Sequence, residues 1–475
     1  MTDDRALGFH SLSLEDETAT ELAVEGHLPG WLEGTLIRNG PGAFELGGAA
    51  VDHWFDGLAM LQRFTFSGAG TIDYQNRFLR TTTFERALEG SFTGGFATGE
   101  STLRERLWGV LFGEPYDNTN VIAERIGDQY LALTETLRQV EFDPVTLETL
   151  GSQQYDGPAP TGQLACAHLR RDPDTGVLWN FETKFGRSNA YLVYSIDPGG
   201  KRTPVTTVPV DEPAYMHSFA LTPDYVILTE FPFVVDPMDF LKPGRLGPFI
   251  DSYRWEPERG TRFTIVDRES GELVGRPTTE AFFGFHHANA YQADGEVVID
   301  LETLPDVEAV GTLTVDGLRA GDLDVVGGSL ERFRLDPTDG DGATIARQRL
   351  HEGTALPTIS PAQWTKPHHY VYAQRTDQPV MEWPTGVVKI DTESGSGSEF
   401  DSGADHFGEP IFVPNPDGSD EDDGVILALA LDVDDARSDL VILDGASLTE
   451  IARASLPRPI PFDFHGRFFP EVNGV

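Results

Sequence analysis

A short β-rich run closed by an Asp-led or Ser/Gly-led turn recurs seven times along the chain, and this constrains its fold more than any other feature. The turns begin at Ser67, Asp143, Asp197, Asp267, Asp336, Asp391 and Asp444. From Asp143 onward the successive spacings are 54, 70, 69, 55 and 53 residues. Asp, Ser and Gly suit hairpin turns because they tolerate positive φ or bond back to the turn's own amides. Each interval is long enough for one four-stranded sheet, sometimes with an insertion, and strand-and-turn repeats of that length point to propeller blades. Further β-rich runs at 130–134, 177–181, 225–229, 297–301 and 425–431 are bounded by Asp, Gly or Pro. No linker or composition break divides the sequence. The expectation is a single all-β domain over 1–475, a seven-bladed β-propeller with short helical or loop insertions on one face.

Charge narrows the partners. The 77 acidic and 35 basic residues leave a net charge of −42. Such a surface repels nucleic acid and anionic membranes. Because the acid is spread along the chain, it resembles the surface of a protein kept soluble in high salt, as in halophilic archaea. Cys166 is the single cysteine, so no intrachain disulfide forms, which fits a reducing, cytoplasmic setting. The acidic start, MTDDRALGFHSLSLEDE, lacks the apolar core of a secretory leader. No window is apolar for long enough to span a bilayer.

Two stretches depart from the β pattern. Residues 103–112 carry apolar side chains at helical spacing, and 231–250 (FPFVVDPMDFLKPGRLGPFI) is apolar and broken by proline. Either packs on the body of the fold or forms an apolar lip for peripheral contact with a membrane.

The candidate chemistry lies in the histidines. Three sites share a setting beside a strand with a polar turn: His168, His217 and the pair His286–His287. A fourth, His465, lies in FDFHGRFFP near the C-terminus. No local zinc motif is present. In a propeller, however, the innermost strands face a common axis, so four imidazoles distant in sequence can share one ion. Neutral imidazole suits Fe(II), Cu, Ni or Zn, and ligating histidines usually pass their second N–H to a carboxylate. Glu135, Glu382 and Glu409 lie on β-rich apolar stretches and are the candidates for that role.

Nine ordered blocks resemble the carotenoid cleavage oxygenases, most of all the animal branch of β-carotene oxygenases and the visual-cycle isomerohydrolase. They are GTLIRNGPG (34–42), DHWFDGLAML (52–61), NRFLRT (76–81), YLALTET (130–136), AHLRRDPDTG (167–176), YMHSFALTPDYVILTEFPF (215–233), FHHANAYQADG (285–295), EPIFVPNPDGSDEDDGVILAL (409–429) and FHGRF (464–468). The resemblance implies a seven-bladed propeller holding Fe(II) on His168, His217, His286 and His465. His286 is preferred to His287 because the family motif is similar to His-x-x-Asn and Asn289 follows at that spacing. It implies carboxylate partners at Glu135, Glu382 and Glu409, and sets Thr134 near an otherwise open iron position. The implied reaction adds O₂ across one double bond of a carotenoid or apocarotenoid, with central cleavage of β-carotene to retinal favoured. The stretches 103–112 and 231–250 fall where the family docks on membranes. Stilbene cleavage is disfavoured, since Phe84 and the lysine-free EPYDNTNV replace the expected phenol-gripping residues. Ester isomerohydrolysis suits a microbial chain poorly. A metal-free propeller acting as a binding scaffold is the rival from another class, and a metal assay separates it.

Overall fold

A computed structural model describes residues 4–92, 95–98, 116–153, 155–159, 161–238, 248–321, 323–403 and 405–473. All seven turn residues anticipated from the repeat join the two outer strands of a hairpin. Asp143 Oδ1 accepts from the amides of Val145 and Thr146, and Asp197, Asp267, Asp336, Asp391 and Asp444 take up the same local bonds. Ser67 Oγ does so for Ala69 and Thr71. A side-chain acceptor two to four residues ahead of the amide closes the turn without demanding glycine at every position.

Burial follows each strand's place in its sheet. Gly424–Asp432 is central and buried on both faces, whereas the outer strands Glu450–Ser455 and Ala346–Glu352 alternate or lie open to solvent. The apolar clusters between sheets run around the molecule in order. Ile122 and Leu133 pack on Leu178 and Ile196. Trp179 and Val193 pack on Val226 and Val266, and Ile227 and Phe263 on Val297 and Phe333. Leu330 then packs on Val371 and Val388, and Tyr372 and Val387 on Ile426 and Val441. Finally Ile37 and Leu61 meet Ala123 and Ala132, which closes the ring.

This is an all-β propeller arrangement, but among the described residues five sheets of four or five strands stand apart as blades, not seven. The first and seventh hairpins share one ten-stranded sheet. Thr18–Gly26 causes the merger by pairing with the outer strands of both, Ile72–Phe78 on one side and Glu450–Ser455 on the other. Glu33–Ala43 pairs with His465–Phe469, a second link between the chain's beginning and end.

The two apolar stretches fare differently. Residues 103–112 lie outside the described residues. Within 231–250, Phe231, Phe233, Val234 and Val235 are core side chains, so packing accounts for their apolarity, while Met238 is 60% exposed. Residues 239–247 also lie outside the described residues. Among the described residues, no helix is long and apolar enough to cross a membrane.

Candidate metal centre

His168, His217, His286 and His465 come together from four different sheets. His286 and His465 stand at the entrances of the edge strands His287–Ala293 and His465–Phe469. His217 precedes Ala220–Leu221, and His168 lies between the short strands Leu164–Ala165 and Arg170–Arg171. One ring nitrogen from each lies within 4.8 Å of the others, and His168 Nε2 is 2.9 Å from His217 Nε2.

Carboxylates orient three of the rings from behind. His217 Nδ1 is 2.6 Å from Glu135 Oε1, His465 Nδ1 is 2.8 Å from Glu409 Oε1, and His286 Nδ1 is 2.9 Å from Glu302 Oε2. An ionised carboxylate only accepts, so at His217 and His465 the proton sits on Nδ1 and the Nε2 lone pair faces inward.

Among the described residues, the carboxylates on the cluster's rings are Glu135, Glu302 and Glu409, and the expected partner Glu382 is not one of them. It is exposed, although it borders the adjoining cavity, and Glu302 occupies the position behind His286. Glu302 sits on Glu296–Thr303, a strand buried almost end to end. Two further residues escaped the sequence reading. Tyr215 Oη donates to Glu135 at 2.9 Å, and Arg38 Nη1 donates to Glu409 at 3.2 Å while Nε holds Asp463 at 2.8 Å. Both lie inside blocks that carry the family resemblance, yet spacing alone assigned them nothing.

The adjacent histidines separate cleanly. His287 turns away, with Nδ1 2.7 Å from Ser218 Oγ and Nε2 2.8 Å from Thr229 Oγ1. Asn289 makes no contact with the cluster. It receives the Thr365 amide and donates to the carbonyls of Gln363 and Lys366, fixing a neighbouring loop. His368 is also structural: its Nε2 is 3.0 Å from Asp300.

Burial keeps three of the donors neutral. Burial, then the neighbouring imidazoles, holds His168 and His286 well below the ordinary histidine range. Burial also lowers His465, against the pull of Glu409. The buried carboxyls differ. Burial pushes Glu302 up to about 8. The same burial at Glu409 is outweighed by His465 and Arg38, which hold it below the usual carboxylate range.

The donor set fits a metal ion. Four imidazole nitrogens converge with no thiolate among them, and among the described residues the buried His286 Nε2 has no hydrogen-bond partner. A buried acceptor left unpaired is costly, and a divalent transition ion satisfies it.

Two cavities meet at the cluster. One, of about 450 Å³, is largely apolar; His217, His286 and His465 border it along with Thr134, Phe55, Phe96, Tyr215 and Phe285. The other, of about 750 Å³, reaches His168, His286 and His465 past Arg170, Arg171 and Arg467.

Residues 9–470 match the family model described as retinal pigment epithelial membrane protein. The chain belongs to the carotenoid cleavage oxygenase family. It is an oxygenase of that iron-dependent family. It is 33% identical over 462 residues to the apocarotenoid-15,15′-oxygenase of Synechocystis sp., covering 93% of this chain and 91% of that protein. It is 29% identical to the β,β-carotene 15,15′-dioxygenase of Rattus norvegicus, covering 94% and 89%. A cobalt-substituted crystal structure of the Synechocystis oxygenase superposes with a TM-score of 0.87 at 29% identity over 99% of each chain.

Proposed function

We propose that the oxygenase cleaves one carbon–carbon double bond of a conjugated polyene with O₂, with β-carotene cut at its central 15,15′ bond to give retinal. The observation that carries this reading is the apolar cavity of about 450 Å³ ending on the four-histidine cluster. Such a cavity excludes water and accepts a long hydrocarbon, and convergent polar groups at one end select the reacting bond. His168, His217, His286 and His465 would hold Fe(II), which supplies O₂ binding and activation. Glu135, Glu302 and Glu409 fix the imidazole rings so that their Nε2 atoms converge. Thr134 borders the cavity beside Glu135, which supports reading it as one of the groups that flank the reacting bond.

Both oxygen atoms of O₂ end in the two carbonyl products, so no external reductant is required. An apocarotenoid substrate is the second reading, favoured by the 33% identity to the Synechocystis enzyme. The ten-stranded sheet counts in this reading as two blades joined through Thr18–Gly26, giving seven. Two hairpins in that sheet and a buried cluster linking Phe64 and Leu58 to Val425 and Leu440 support that count. A lipophilic substrate also calls for peripheral contact with a lipid phase, for which exposed Met238 is the described candidate.

Incubating Fe(II)-loaded protein with β-carotene under ¹⁸O₂ and weighing the products tests the reading. Retinal labelled at its aldehyde is the expected result. Labelled longer apocarotenals overturn central cleavage, and unchanged β-carotene together with an unchanged β-apocarotenal overturns the activity. With substrate in liposomes, Met238→Glu is expected to lower turnover but not with substrate in detergent. Equal turnover in liposomes removes the membrane contact.

A further inference from the structure

The wall of the apolar cavity is positioned from the backbone at one point. Phe96 stands between Phe55 and Tyr215, with ring centroids 5.6 and 5.5 Å away. Its amide donates to Asp56 Oδ1 at 2.6 Å, and the next amide, of Ala97, donates to Asp56 Oδ2 at 2.8 Å. The Phe96 carbonyl accepts from Ile250 N at 3.0 Å. Asp56 is 0% exposed, and the hydroxyls of Tyr116 and Thr98 also reach it.

Its own position is fixed in turn. Asn118 Nδ2 donates to Gly57 O at 2.8 Å, and Asn120 Nδ2 donates to Phe55 O at 2.9 Å and Gly57 O at 2.8 Å. The fit leaves no room, since a Cβ at Gly95 would lie 2.6 Å from Asp56 Oδ1. Burying a carboxylate costs far more than burying an apolar side chain of that size, so core packing alone does not account for Asp56.

We infer that Asp56 is a positioning residue whose carboxylate clamps the 96–97 backbone, seats Phe96 against Tyr215, and so sets which double bond of a polyene stops at the metal centre. This rests on the polyene-cleavage reading. Tyr215 ties wall to centre, because its hydroxyl shares Glu135 Oε1 with His217 Nδ1. Among the described residues, Phe96 itself makes no ring contact with the four cluster histidines, so a change in where it sits is expected to reshape the cavity wall and leave the ligands to their carboxylates.

Asp56→Asn puts an NH₂ group against an amide that needs an acceptor. Gly95→Ala drives a methyl into the same carboxylate, and Phe96→Leu removes the wall while keeping the clamp. The test measures metal content, the affinity of metal-free protein for a β-apocarotenal from its absorption shift, and the ratio of aldehydes formed by Fe(II)-loaded protein. Asp56→Asn and Gly95→Ala are expected to keep full metal content, bind the β-apocarotenal about tenfold more weakly, and shift cleavage towards neighbouring bonds. Phe96→Leu is expected to shift the ratio the same way, and adding Asp56→Asn to it moves the ratio little further. Should Asp56→Asn fail to fold, Gly95→Ala and Phe96→Leu carry the test. Folded variants with the parent's affinity and product ratio overturn the clamp alone. A parent that neither binds nor cleaves a polyene overturns the polyene reading and the clamp with it.

Discussion

Behind the four histidines, three carboxylates do similar geometric work with unequal electrostatic support. Glu409 has Arg38 beside it, Glu135 has the Tyr215 hydroxyl, and Glu302 is buried at His286 with its carboxyl pushed up to about 8. Removing an orienting carboxylate typically lowers metal affinity 10- to 100-fold. Glu302→Ala is therefore expected to weaken metal binding by about that factor, and Glu382→Ala to leave it unchanged, in a competition titration with a metal chelator. The reverse order would return Glu382 to the site. Glu382 lies in VMEWP, an apolar stretch where the resemblance implies a partner, whereas Glu302 lies in VVIDLET, a plain strand whose depth only the sheet around it reveals. His286 was separable from His287 because Asn289 follows at the right spacing. Of the pair, His286 is the one that joins the cluster, and Asn289 secures a loop and not the ring.

At the scale of elements, the turn chemistry was legible and the sheet count was not. Each Asp-led turn depends on bonds within a few residues, which a local pattern encodes. The pairing of Thr18–Gly26 with strands near both ends of the chain is long-range, and no local pattern announces it. Buried ion pairs between strands escaped for the same reason. Asp300 on Glu296–Thr303 takes two bonds of 2.7 Å from Arg332 on Ser329–Leu335, and His368 adds a third contact. Burial would raise the Asp300 carboxyl, but Arg332 and His368 outweigh it and hold it below the usual carboxylate range. A depressed carboxyl contributes stability that is present above its unfolded value of about 3.9 and lost as pH falls through its folded value. Asp300→Asn also leaves Arg332 buried without its counter-charge, a loss of about 3–5 kcal/mol at pH 7. Denaturant titrations should show that difference at pH 7 and a smaller one as pH falls below about 3.9. A pH-independent difference would assign the loss to packing.

For the whole molecule, the net charge of −42 is a self-repulsion that a compact ring must bear. Screening shortens its reach from about 10 Å at 0.1 M salt to about 3 Å at 1 M. The thermal midpoint is expected to climb across that range in KCl, and a flat profile would show that the acidic surface leaves stability untouched. The ring also explains how residues from 168 to 465 reach one point: four of the sheets each bring one histidine in or beside a short or edge strand, so the site exists only when the ring is closed. The most direct test of the account is the metal content of protein loaded with Fe(II) under anaerobic conditions and desalted, for the parent, His286→Ala and His287→Ala. The account predicts one iron per chain in the parent and in His287→Ala, and loss of iron from His286→Ala. A parent that retains no metal, or a His286→Ala variant that retains all of it, would contradict the four-histidine centre.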